Sequence, residues 1–174
     1  ARMSASERPT PPVFDLEDEQ DKAEVAAIWH RYAREAEQAG DYFGARMGYV
    51  NAWKEQPQQL RYFQTVAHFL DRMGQVDELL KVYEIGSQLH RAHTATQINY
   101  ANLLNTYGHY ERALEVAERV MESQPHCPPA LGNLGNSHRG LGDYGRAQAC
   151  FERILEAEPD NAQAAFNLAC IRLA

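Results

Sequence analysis

Glycines stand at positions 40, 74, 108 and 142 of this 174-residue chain, three intervals of 34 with no insertion. Each opens a similar short string: Gly40-Asp41-Tyr42, Gly74-Gln75-Val76, Gly108-His109-Tyr110 and Gly142-Asp143-Tyr144. A period of this length marks a supersecondary unit that cannot bury its apolar face alone and must stack on copies of itself. With the turn glycine at position 15 of the unit, four repeats cover 26–59, 60–93, 94–127 and 128–161. A fifth begins over 162–174.

Positions 4, 7, 8 and 11 of the repeats are mostly apolar, the spacing of one helical face. In the second repeat they are Phe63, Val66, Ala67 and Leu70. Position 8 is always small (Ala33, Ala67, Ala101, Gly135, Ala169), and position 20 reads Ala45, Leu79, Ala113 and Ala147. Small residues at both places let two antiparallel helices approach closely, with larger ones at positions 7 and 24 filling the rest. The turn glycine serves as C-cap of the first helix, and Asp41 and Asp143 as N-caps of the next. Pro57, Pro125 and Pro159 mark the ends of second helices. The second repeat departs from the pattern, with Leu79 at position 20, Gly86 inside a helix and Arg91 where proline stands elsewhere. A helix-interior glycine costs about 1 kcal/mol against alanine, so this repeat is expected either to be locally flexible or to be repaired by its neighbours. The third exchanges large for small, with Tyr100 at position 7 and Ala117 at position 24.

The repeats resemble the tetratricopeptide repeat (TPR) family. The fourth carries the family signature in Leu131, Leu134, Gly135, Gly142-Asp143-Tyr144, Ala147, Phe151 and Pro159. The first carries it in Trp29, Tyr32, Ala33, Ala36, Gly40-Asp41-Tyr42, Ala45, Tyr49, Ala52 and Pro57. The resemblance implies an all-α, right-handed superhelical solenoid of antiparallel helix pairs over residues 22–174. Residues 1–21, with Pro9, Pro11, Pro12 and the acids Asp15, Glu17, Asp18 and Glu19, read as an acidic tail or linker. Capping-box spacing at Asp21-Lys22-Ala23-Glu24 marks the first helical start. In the last helix Phe166, Leu168 and Ile171 have no second helix to cover all of them. That end is expected to continue or to pair with another copy, which allows a homo-oligomer.

Several function classes are disfavoured. Acids outnumber Lys and Arg by 24 to 17, against the basic excess of a nucleic-acid module. No run approaches the roughly 20 apolar residues of a membrane helix, and the first residues lack the apolar run of a secretory signal. Cys127, Cys150 and Cys170 form no CxxC pair, which suits a reducing, cytoplasmic setting better than a disulfide framework. His90 with His93, and His126 beside Cys127, lack further ligands at metal-binding spacing. No nucleophile elbow, P-loop or H-E-x-x-H string occurs. The chain is therefore expected to be non-catalytic and to need neither metal nor cofactor.

Such an array offers instead a concave surface lined by its first helices. Positions 2, 5, 9, 12 and 13 face it. They place Arg34, Arg61, Gln64, His68, Arg72, Asn102, Asn136 and Arg139 there, with four arginines against Glu37 and Asp71. Asn99, Asn133 and Asn167 recur at position 6. An amide donates and accepts at once, which suits the backbone of an extended peptide. Co-chaperones of the family grip a terminal carboxylate with lysines at positions 5 and 2. Here His30, Ala95, Ile98 and Gln163 fall at those places, so that clamp is absent. The reading is a protein-interaction scaffold that holds an extended peptide or helix of acidic character. An Arg-rich composition, 14 Arg against 3 Lys, favours a bacterial assembly or secretion system for pili or exopolysaccharide. The rivals are a regulatory or substrate-recruiting domain of a larger enzyme, and a self-association module.

Overall fold

A computed structural model describes residues 9–13 and 21–173; most of the acidic tail lies outside the described residues. Those residues form nine α-helices and no strand, consistent with four helix pairs plus a final helix. They fall into two compact bodies that divide after His90.

The amino-terminal body contains α1 (Asp21–Gln38), α2 (Tyr42–Glu55), α3 (Leu60–Arg72) and α4 (Val76–Leu89). The carboxy-terminal body contains α5 (Thr94–Thr106), α6 (Tyr110–Ser123), α7 (Pro128–Gly140), α8 (Tyr144–Ala157) and α9 (Ala162–Arg172). The helix α1 begins five residues ahead of the repeat frame, at the aspartate of the capping-box string.

The periodic glycines terminate α1, α3, α5 and α7. Their φ values of 74°, 65°, 79° and 80° lie in the left-handed region that other residues avoid. At the first of these turns Gly40 N–H donates to Glu37 O at 3.0 Å and Asp41 N–H to Ala36 O at 2.8 Å, the paired bonds of a Schellman ending. The other three turns repeat that pairing. The next helix starts at once: Asp41 accepts from Gly44 N–H and Asp143 from Arg146 N–H, both at 3.1 Å. His93 and Asn161 cap α5 and α9 in the same way.

In the amino-terminal body the small positions meet as the sequence pattern requires. Ala33, Ala36, Ala45 and Ala52 are fully buried, as are Val66 and Leu70. A Cβ on Gly48 of α2 would lie 2.8 Å from the Ala33 Cβ, so α1 and α2 touch through small residues. Rings fill the remainder: Phe63 packs 6.1 Å from Trp53 and edge-on to Tyr83 at 5.3 Å. Arg46 of α2 pairs with Glu78 of α4.

In the carboxy-terminal body Leu131, Ala147, Phe151, Ile154, Ala164, Leu168 and Ile171 form one cluster. The exchange in the third repeat closes: Tyr100 and Ala117 are both buried, and Arg112 donates to the Tyr100 hydroxyl at 2.7 Å. The face of α9 is better covered than its sequence implies, because Leu168 and Ile171 pack on α8. Phe166 remains 63% exposed.

Candidate functional site

Three first helices of the carboxy-terminal body, α5, α7 and α9, bound an open cleft of about 450 Å³. Ile98, Phe151, Ile154 and Ala164 contribute apolar surface to it. Its polar wall is mostly amide: Asn99, Asn102, Asn133, Asn136, Asn161 and Asn167 all line it. Among the described lining residues Glu158 alone carries charge, and it accepts from Asn161 Nδ2 at 2.8 Å. An apolar floor with a few convergent amides is the usual make-up of a peptide or ligand cleft.

The asparagines do different work. Asn133 is buried, and its Nδ2 donates to Ile98 O at 3.0 Å, tying α7 to α5. Asn105 strengthens that tie by donating to Asn133 O at 3.0 Å, while the fully buried Ser137 hydroxyl donates to Asn105 Oδ1 at 2.9 Å. Asn167 is buried on α9, and Arg139 Nη1 donates to its Oδ1 at 3.3 Å, which orients the amide. Arg139 acts through Asn167 and does not itself line the cleft. Asn99 and Asn102 are exposed at the α5 wall. Asn136 is the exception: its Oδ1 is buried and has no hydrogen-bond partner. A buried polar atom left unsatisfied costs about 1–3 kcal/mol.

The cleft has residues that the sequence pattern did not single out. Phe151 and Ile154 belong to a second helix and read only as core. Pro128 and Asn161 sit at the repeat junctions, outside the positions assigned to the concave face, whereas Pro129 and Gln163 fall at position 2, which faces it. The junction proline at N1 of α7 and the cap spacing of Asn161 were the available signals.

The remaining expected residues lie on the amino-terminal body, where Arg34, Arg61, Gln64, His68 and Arg72 are all exposed on α1 and α3. Their charges are less free than the sequence implies. Arg72 pairs with Glu37, which also accepts from the Tyr49 hydroxyl at 2.7 Å. Burial alone would raise the Glu37 carboxyl, but these two hydrogen bonds and the Arg72 charge hold it below its ordinary range. Burial and the neighbouring Glu37 carboxylate push the Tyr49 phenol strongly up. Arg61 lies over the Tyr62 ring, Cζ 4.5 Å from its centroid, and donates to the Tyr62 hydroxyl at 2.8 Å.

Among the described residues no three His, Cys, Asp or Glu side chains converge as metal ligands, and no helix is long and apolar enough to cross a membrane. Cys150 is buried, while Cys127 and Cys170 are half-buried free thiols.

Helix pairs repeated on a 34-residue period, joined by Schellman turns and packed through small residues, define an α-helical repeat array. The tetratricopeptide-repeat family profile matches residues 104–169. The match and the helix-pair architecture agree on a tetratricopeptide-repeat fold. Solved structures share the fold at low identity. YrrB, described as a TPR protein with an unusual peptide-binding site, is 17% identical over 82% of this chain and 73% of its own, with a TM-score of 0.67. A TPR protein from Parabacteroides merdae is 20% identical over 85% of this chain, with a TM-score of 0.70; the match covers 59% of that longer protein. MamA from Desulfovibrio magneticus is 15% identical over 86% of this chain and 84% of its own, with a TM-score of 0.70. No curated protein matches the sequence.

Proposed function

We propose that this protein is a non-catalytic scaffold that captures an extended segment of a partner protein on the first-helix faces of its repeats. The observation that carries this reading is the amide-lined cleft between α5, α7 and α9, with the unmatched polar atom of Asn136 in its wall. Amides at Asn102, Asn136 and Asn167 suit the alternating donors and acceptors of an extended backbone. The peptide-binding site of YrrB, on the same fold, is consistent with it.

The two bodies differ in chemistry. The cleft is neutral apart from Glu158, so it reads backbone and apolar side chains. A preference for acidic partners rests on Arg34 and Arg61 of the amino-terminal body. An assembly or secretion role in a bacterium belongs to the same proposal, supported by the arginine-rich composition.

A peptide array of extended sequences, probed with the whole chain, tests the reading. Binders should lose at least tenfold in affinity with Asn136→Ala, while the circular dichroism spectrum and melting stay those of the parent. Retention of affinity by Asn102→Ala, Asn136→Ala double variants would move the site off the cleft.

A second reading, self-association, is favoured by the exposure of Phe166 and Leu173 at the end of α9. Sedimentation that shows dimer in the parent and monomer in Phe166→Ser would support it, and a concentration-independent monomer would end it.

A further inference from the structure

His30 of α1 is wedged between two tyrosine rings, Tyr49 of α2 and Tyr62 of α3, with both centroids 5.6 Å away. Arg61 covers Tyr62 from the α3 side. Arg34 stands one turn further along α1, exposed and with no ion-pair partner among the described residues. The acid of this face is already engaged, because Glu37 is held by Tyr49 and Arg72. Among the described residues, two guanidiniums thus act on an imidazole held between aromatic rings, without a carboxylate of their own.

The imidazole has been made a poor base. Burial, then the charge of Arg34, then that of Arg61 hold it below its ordinary value of 6.5, so it is neutral at neutral pH. The groups that face it are Arg34 on its own helix, Tyr49 on α2, and Tyr62 with Arg61 on α3. His68 acts on Glu37 instead.

We propose that His30, Arg34 and Arg61 form a binding site for an Asp or Glu side chain of the partner, and that filling it draws one proton onto His30. The inference rests on the reading that the amino-terminal body takes acidic segments, and it names the residues and the proton that reading leaves open. Guanidinium groups match a carboxylate in shape and charge. A carboxylate lodged among the three groups offsets the two arginine charges felt by the imidazole and offers it a hydrogen-bond acceptor. The imidazole then becomes a better base in the complex than in the free protein. Binding is linked to proton uptake, so affinity rises as pH falls, by up to about tenfold for each unit by which the bound anion raises the imidazole pKa. The Tyr49 phenol does not compete for this role, since it is pushed up and stays protonated.

The probe is a synthetic Asp-rich hexapeptide, acetylated and amidated at its ends so that only side-chain carboxylates are offered, with its Asn counterpart as control. Titration calorimetry of the whole chain near pH 6.5, in two buffers of different ionisation enthalpy, reads the proton count. The proton NMR shift of the His30 ring reads the site directly. The expected result is binding of the Asp peptide alone, tightening from about pH 8 to about pH 6, with proton uptake and a His30 titration moved to higher pH. His30→Gln should keep binding at pH 8 and lose the pH dependence, while Arg34→Gln with Arg61→Gln should weaken binding at least tenfold. Binding without proton uptake, or binding indifferent to the two arginine changes, overturns this site and leaves the acidic-partner reading standing. An Asp peptide that binds no better than its Asn control overturns both.

Discussion

Gly86 of α4 lies flat against the ring of Phe63 on α3. A Cβ on that glycine would fall 2.8 Å from the Phe63 Cζ and closer still to the Cδ2–Cε2 edge. The ring has nowhere to retreat: it is 2% exposed, edge-on to Tyr83, 5.6 Å from the His90 ring and 6.1 Å from that of Trp53. In sequence Gly86 reads as a loosening of the second repeat. In the structure it is the gap that lets α3 and α4 close over a large aromatic residue, inside a helix that runs unbroken from Val76 to Leu89.

Gly86→Ala should therefore destabilise the protein, by about 1–3 kcal/mol from overpacking, although helix propensity alone favours alanine by about 1 kcal/mol. Urea denaturation followed by circular dichroism measures the sign. A Phe63→Leu change made together with Gly86→Ala should cost less than the two single costs added, because the pair is in direct contact. A more stable Gly86→Ala variant would mean that the helices separate without penalty.

Ala147 on α8 is fully buried within the Leu131–Phe151–Ile154 cluster. Phe151 of the same cluster presses on α7, its Cζ 2.6 Å from where a Cβ on Gly135 would stand. This contact is closed, so Ala147→Leu should cost about 1–3 kcal/mol. A melting temperature equal to the parent's would show slack in the α7–α8 contact.

Two asparagines on α7 give opposite expectations. Asn133→Ala removes the donor to Ile98 O and should lower stability by about 1 kcal/mol, the usual worth of a hydrogen bond. Asn136→Ala removes an amide whose Oδ1 has no partner, so stability should hold or rise while affinity for an extended peptide falls. Thermal melting and peptide titration on the same two variants separate them. Equal losses of stability would show that Asn136 is also a structural tie.

The helical pairing was legible because its signal is redundant. Turn glycine, small residues at positions 8 and 20, and the capping aspartate each place the same boundary, and Asp41 and Asp143 cap as their spacing requires. The candidate site was legible only in part, because position along a helix specifies a face and not a partner. Periodicity places Asn133 and Asn136 on one wall but cannot show that the first amide is committed to a carbonyl 35 residues away. Likewise Arg72 reads as a groove cation, and only three-dimensional proximity reveals that Glu37 and Tyr49 engage it in a local network. Phe151 and Ile154 carry a core pattern and are buried, and that pattern does not reveal that they also line a cleft.

The network around Glu37 and His30 makes stability depend on pH in two separable steps of the same sign. His30 is held below its ordinary value of 6.5, chiefly by burial and then by Arg34 and Arg61, so the unfolded chain binds its proton first. Its contribution is present above about pH 6.5 and is lost as pH falls below it. Glu37 is likewise depressed from 4.5 by its bonds to Tyr49 and Arg72, against the opposing effect of burial, so its contribution is lost only as pH falls below about 4.5. Midpoints of urea unfolding measured between about pH 8 and pH 3 should decline in those two windows. His30→Gln should remove the upper decline and leave the lower, and Glu37→Gln the reverse. A His30→Gln variant whose stability still falls between about pH 6.5 and pH 5 by as much as the parent's would assign that decline to another histidine and show that the Tyr49–Tyr62 wedge does not exclude the charged ring.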